Sequence, residues 1–188
     1  VFRTKPILLA NGEVIIGFEC RDERSRFLIS GDLGETWEYG FPIPGWENQH
    51  PTLIQRSDGV IVAFLRPAGN QPRIGKSYSY DNGRTWIPAV GTKVRNPGAA
   101  IDVVKMADGR VALIFNDSER ERSPLTLALS RDEGETWYVK RNIETEDGEF
   151  SYPAIIQDRA GSLHLTYTYR RTHIKHVKVE PSWIEGEE

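Results

Sequence analysis

Three eight-residue segments share one pattern: SGDLGETW at 30–37, SYDNGRTW at 79–86 and SRDEGETW at 130–137. Their serines, Ser30, Ser79 and Ser130, stand 49 and 51 residues apart. Recurrence at a fixed period restricts a chain to architectures in which one supersecondary unit is copied and stacked, because each copy buries its apolar face against its neighbours. A second series keeps the period: PILLANGEVIIGF, PTLIQRSDGVIVAF, IDVVKMADGRVALIF and PAIIQDRAGSLHLTY. Each is an apolar run, a turn at Gly12, Gly59, Gly109 or Gly161, and another apolar run. Four repeats follow, over about 1–44, 45–93, 94–144 and 145–188. The fourth lacks the eight-residue pattern, although Trp183 stands where its tryptophan falls.

Within each repeat the runs are short, rich in Val, Ile, Leu, Thr and Tyr, and broken by glycine-containing turns, as in antiparallel hairpins. No helix is expected. Repeat two reads as strand HPTLIQ, turn RSDG, strand VIVAFL, loop RPAGNQPR, strand IGKSYS, turn YDNGR and strand TWIPA. Four strands in about 50 residues make one propeller blade. The expected class is all-β, a single β-propeller domain over 1–188 with about four four-stranded antiparallel blades, whole or part of a larger propeller. In SxDxGxTW the Asp bonds the turn backbone, the Gly supplies positive φ and the Trp packs between sheets, so the motif reads as a blade-corner staple.

Charge and hydropathy remove several classes of function. The net charge of −3 lacks the basic excess of a phosphate-tracking nucleic-acid binder. No apolar run approaches the ~20 residues of a membrane span. Cys20 is the single cysteine, so no intrachain disulfide forms and the redox compartment is not revealed. The opening VFRTKPILLA has neither an initiator Met nor signal-peptide features, and reads as a mature segment or a fragment of something longer. Open blade faces on such a piece predict self-association.

In a four-stranded meander the Gly turns and SxDxGxTW turns lie at one end of the blade. The opposite end gathers the loops ECRDERSR (19–26), LRPAGNQPR (65–73), NDSERERSP (116–124) and TYRRTH (168–173), with the crossings GWENQHP, VRNPGAAID and TEDGEFSYP. Arg66 ends the second strand of repeat two, and Arg122 leads into the third strand of repeat three. Guanidiniums make bidentate contacts with carboxylates, so this end suits an acidic ligand. Asn116, Tyr169 and Arg170 lie in the same loops. Asp102 and Asn96 sit at the crossing into repeat three, Asp102 either as a site carboxylate or as a crossing cap. If the strand continued through TYTYRRTHIKH, Arg170 and Arg171 would face opposite sides and only one could serve the site. Its histidines lack supporting carboxylates, and neither a metal nor another cofactor is expected.

Three copies of SxDxGxTW in phase with a second repeat resemble the Asp-boxes of the sialidase superfamily of propellers, and the resemblance spans essentially the whole chain. It implies an exo-glycosidase acting on terminal acidic sugars, with no cofactor. The family segment NExxVVxLxDGxLLxNxR ends in a carboxylate-binding arginine, matched by Arg66 in DGVIVAFLR. RSPLTLALSRDEGETW matches a later family segment and places Arg122 at a second such position. The family's nucleophilic Tyr lies nine residues before a glycine turn, as Tyr152 lies before Gly161 in FSYPAIIQ. Two departures stand out: the Glu that partners that Tyr falls at His50, and the Glu of the last active-site strand falls at Thr168. Arg3 matches the family's first arginine poorly, and its Asp acid/base has no match. His50 or Glu149 is then the partner expected for Tyr152. Alternatives are a non-catalytic carbohydrate-binding propeller using Arg66, Arg122 and the aromatics Trp46, Tyr167 and Tyr169, a lyase acting on uronate-containing glycans with Tyr152 and His50 as acid and base, or a partner-binding propeller.

Overall fold

The computed structural model describes residues 1–186 apart from Arg21, Glu23 and Trp46. The chain divides into two compact units, Val1–Val94 and Arg95–Glu188. The first holds two sheets. One comprises β1 (Ile7–Leu8), β2 (Val14–Glu19), β3 (Ser25–Ser30) and β4 (Glu38–Gly40), and the other β5 (Asn48–Gln55), β6 (Ile61–Pro67), β7 (Arg73–Ser79) and β8 (Val90–Arg95), whose last residue opens the second unit. The second unit holds β9 (Asp102–Lys105), β10 (Val111–Asn116), β11 (Leu125–Ser130) and β12 (Val139–Glu144), then a sheet of β13 (Phe150–Gln157), β14 (Leu163–Tyr169) and β15 (His173–Val179), closed by helix α1 (Pro181–Glu185). Strands pair in sequence order within every sheet, the arrangement of propeller blades. No helix among the described residues is long and apolar enough to cross a membrane.

Three details depart from the sequence reading. The fourth strand of blade two begins at Val90, beyond TWIPA. Thr85 N and Oγ1 are both held by Asp81, Trp86 Nε1 donates to the Gly83 carbonyl, and Pro88 has no N–H to give a ladder. Blade four has three strands, and its chain turns into α1 where the others carry a fourth strand. Strand β14 stops at Tyr169, so Arg170 and Arg171 form a turn, with φ of 48° and 55°.

The Asp-boxes act as staples. Ser30 Oγ donates to Asp32 Oδ1 (2.7 Å) and receives Gly34 N (2.7 Å), while Thr36 N and Oγ1 both donate to Asp32. Hydrogen bonding by Thr36 holds the Asp32 carboxyl down at about 2. The same bonds recur around Asp81 and Asp132. The Trp86 ring then stacks on Phe27 of the preceding blade at 4.3 Å. Gly83 permits this approach, since a Cβ there would lie 2.1 Å from Ile15 Cδ1. Trp183, carried on α1, reaches back in its place to Arg141 of blade three, whose guanidinium lies 4.0 Å from the indole centroid.

Each unit buries its own core. Ile15, Phe27, Ile29, Leu53, Ile61 and Leu65 fill the first, and Ile114, Leu127, Phe150, Ile155, Leu165 and Tyr167 the second. Burying each such side chain contributes about 1.5–3 kcal/mol. A further link repeats: Gln55 Oε1 accepts Ala10 N in the first unit, and Gln157 Oε1 accepts Ala107 N in the second, both at 2.8 Å. The first strand of the later blade is thereby tied to the glycine turn of the earlier one.

The strands so tied also share a bulge. Register breaks in β5 between Gln49 and Thr52, and in β13 between Ser151 and Ala154. At the two breaks His50 and Tyr152 take positive φ, 46° and 55°, and each is followed by a proline. An extra residue in one strand of an antiparallel pair re-aims its side chain, and bulges concentrate beside functional sites. Gly17 lets the first bulge press on β2: a Cβ there would lie 2.5 Å from Pro51 Cγ.

Candidate functional site

In the first unit the bulge delivers the His50 ring between two charged groups. Arg66 Nη1 lies 3.2 Å from His50 Nδ1, and Glu19 Oε2 lies 2.8 Å from His50 Nε2. A guanidinium only donates, so Nδ1 accepts and Nε2 carries the ring hydrogen. The imidazole is neutral, and Glu19 is a close anionic neighbour whose Oε2 makes no aligned hydrogen bond among the described residues. At 7% exposure it is desolvated, and burial, with the repulsion of Arg66, Arg3 and the Val1 ammonium, lowers its pKa to about 3. The value near 6.5 expected of an unperturbed histidine does not hold here. In this arrangement His50 has no ring lone pair open to an incoming proton.

In the second unit the bulge lifts Tyr152 to 40% exposure, with the Arg122 guanidinium 5.5 Å from its ring centroid. Arg122 Nη1 donates to Glu149 Oε1 (2.9 Å) and Ser151 Oγ (3.0 Å), Ser151 Oγ donates to the same carboxylate oxygen (2.7 Å), and Arg171 Nε meets Glu149 Oε2 at 2.6 Å. The Ser151 hydroxyl and the two guanidiniums hold the Glu149 carboxyl below the usual range. A carboxylate so satisfied is a weak proton acceptor, which bears on the role foreseen for it beside Tyr152. Two guanidiniums against one carboxylate leave this cluster positive and able to take an anion.

Other predicted residues frame these groups. Asn116 is fully buried, and its Nδ2 donates to the carbonyls of Arg122, Pro124 and Phe150, fixing the loop that carries Arg122; its Oδ1 has no hydrogen-bond partner among the described residues. Asp102, 3% exposed, accepts Val103 N at 3.0 Å and Ile155 N at 2.9 Å, so it fastens β9 to β13 as a cap. Asn96 caps its own turn by accepting Ala99 N. Tyr169 packs on Phe150 at 5.3 Å with its hydroxyl 3.4 Å from Glu146, and Arg170 ion-pairs with the same Glu146. Tyr167 is core: its hydroxyl bonds Glu144, and burial raises its pKa. Trp46 lies outside the described residues.

Sequence reasoning passed over Glu19 and Ser151. A signal for Glu19 was present: seven residues after each turn glycine, at the end of the second strand, stand Glu19, Arg66, Asn116 and Thr168. Three of these four were read for function, and Glu19 only as the first letter of a charged loop.

Residues 1–165 match the BNR repeat-like domain. The chain is 24% identical over 169 residues to a sialidase of Micromonospora viridifaciens, an alignment covering 85% of this chain and 26% of that protein. Solved structures of similar fold include the leech intramolecular trans-sialidase (TM-score 0.82, 19% identity, 97% of this chain and 31% of that one) and the NanB sialidase of Streptococcus pneumoniae (TM-score 0.79, 19% identity, 94% and 30%). A protein of unknown function from Dyadobacter fermentans is similar too, with TM-score 0.80 and 21% identity over 95% of this chain and 53% of that one. The chain thus spans about a quarter of the curated relative's length. Repeats, blades, Asp-box staples and domain match together make this chain a member of the BNR repeat-like family, with the fold of the sialidase-superfamily propellers.

Proposed function

We propose that this chain forms part of a sialidase-like exo-glycosidase acting on the terminal acidic sugar of a glycan. Arg66 and Arg122, each within its own unit, are the guanidiniums that take a carboxylate, and Tyr152 is the nucleophile, a role tyrosine fills in sialidases. The observation that carries the reading is the second bulge, which raises the Tyr152 phenol from the strand beside Arg122. There an electron-rich oxygen can approach an anomeric carbon and stabilise an oxocarbenium-like centre.

The test is turnover of a fluorogenic sialoside by the purified chain beside Tyr152→Phe. Loss of the nucleophile is expected to cut turnover by about 10³-fold or more with the fold retained. Equal rates in both proteins would remove Tyr152 from that role. A second reading, a carbohydrate-binding propeller without turnover, is favoured by one feature: both acceptors foreseen for the phenol proton, His50 and Glu149, are already bonded. Binding of sialylated glycans without release of fluorophore, unchanged by Tyr152→Phe, selects it.

A further inference from the structure

We propose that Arg66 gates His50: a carboxylate bound at Arg66 frees His50 Nδ1 to accept a proton, and Glu19, beside Nε2, is the positioning residue whose carboxylate stabilises the charged ring. The inference rests on the reading of Arg66 as a carboxylate-binding arginine. Its starting point is the order of contacts, Arg66 Nη1 at 3.2 Å from Nδ1 and Glu19 Oε2 at 2.8 Å from Nε2. Each ring nitrogen meets a different chain element, β6 on one side and the end of β2 on the other. One end of the relay is anionic and the other cationic, so the ring is oriented rather than merely enclosed.

The chemistry follows from donor and acceptor rules. A guanidinium prefers a carboxylate to a neutral imidazole nitrogen, because a charge-assisted bidentate pair is stronger than a single bond to a neutral acceptor. An acidic ligand therefore competes for the group that caps Nδ1 and neutralises the charge that opposes protonation there. A proton leaving an acidic O–H then bonds to Nδ1, and the imidazolium faces the Glu19 carboxylate at Nε2, a charge pair absent before the transfer. The remaining groups that act on the ring are cationic, Arg3 and the Val1 ammonium. Acidic ligand and proton acceptor become coupled: the acceptor opens when the carboxylate is in place.

The experiment is NMR titration of the His50 ring in the full chain. In ligand-free Arg66→Met the His50 pKa is expected to rise above about 3 by the share the Arg66 charge contributes, burial being retained; an unchanged titration overturns the gate whatever the substrate. Adding Glu19→Gln to Arg66→Met is expected to lower the value again, since a carboxamide of the same size cannot stabilise the imidazolium; no change excludes Glu19. Near-ultraviolet circular dichroism of Trp86, stacked on Phe27 in the first unit, reports whether the variants keep the native fold. In the wild-type chain saturating N-acetylneuraminic acid is expected to raise the His50 pKa as well. A rise in Arg66→Met with none on adding that sugar leaves the Arg66–His50 coupling intact and removes the acidic-sugar reading instead.

Discussion

His50 and Tyr152 occupy the same place in the second blade of their respective units. Each lies nine residues before a turn glycine, precedes a proline and sits at a break in register with positive φ. Their surroundings are opposite. His50 is closed in, with Arg66 at one ring nitrogen and Glu19 close to the other, while Tyr152 stands 40% exposed with a guanidinium over its ring. Each bulge residue meets a charged side chain from the preceding blade, Glu19 in one unit and Arg122 in the other. The backbone device is therefore independent of the chemistry it presents; burial and the cations Arg66, Arg3 and the Val1 ammonium hold His50 neutral, while exposure leaves the Tyr152 phenol open to a ligand.

The fastenings differ in strength, which gives the largest expected stability effect. Asp102 ties the second bulge by receiving Ile155 N, whereas Thr4 Oγ1 ties the first by donating to the Pro51 carbonyl at 2.6 Å. Asp102→Ala leaves two buried N–H groups without that acceptor and is expected to cost about 3 kcal/mol in urea unfolding, against about 1 kcal/mol for Thr4→Val. Equal losses would mean that the carboxylate adds nothing beyond a neutral bond. Acidification separates the bulges next. The folded pKa of His50, about 3, lies below its unfolded value of 6.5, so between those values the unfolded chain binds the extra proton and stability falls as pH falls. Glu149 is also depressed, from 4.5, so its contribution is complete above that value and is lost only as pH drops below it. Lowering pH from 7 to 5 should therefore remove about 2 kcal/mol through His50 alone. His50→Gln should flatten that limb, and an identical slope in the variant would show that His50 takes up its proton alike in the folded and unfolded chain.

The repeats were legible because a staple recurs with its own local bonds: Ser, Asp, Gly and Thr of each Asp-box bond one another within eight residues, so spacing alone reveals the blade corner. Tyr152 and Arg66 were legible through fixed offsets from the turn glycines Gly161 and Gly59, and Arg122 through its place ahead of the third Asp-box. What escaped depends on contacts between blades. Glu19 approaches His50 from another strand some thirty residues away, and no local pattern announces that an acidic loop residue turns inward. Helix α1 escaped for a related reason: PSWIE has little helical propensity of its own, and it is held by Ile184 in the core and by Glu185 bonding Arg110, Arg131 and Tyr138 of blade three. The neutral state of His50 follows from burial and from neighbouring cations on other segments, which no local pattern reveals.

The smallest expected effect bears most directly on whether the bulges store strain for function. A residue other than glycine with positive φ is uncommon, and holding one there costs about 1–3 kcal/mol when the surroundings impose it. Asparagine adopts that region several-fold more readily and, unlike glycine, adds little unfolded-state entropy. At residue 152 the substitution removes an exposed ring and one cation–π contact of about 0.5–1 kcal/mol, while relieving the backbone. Tyr152→Asn is therefore expected to match or exceed wild-type stability, by up to about 1 kcal/mol, with turnover lost. At residue 50 the same relief is outweighed, because His50→Asn empties a buried site and leaves Arg66 and Glu19 facing the gap; a loss of about 2 kcal/mol is expected. Denaturation of the two variants reads the contrast. Stabilisation at 152 with destabilisation at 50 means that one bulge is strained to present a reactive group and the other is a structural joint; loss at both means that Tyr152, too, is held there by packing.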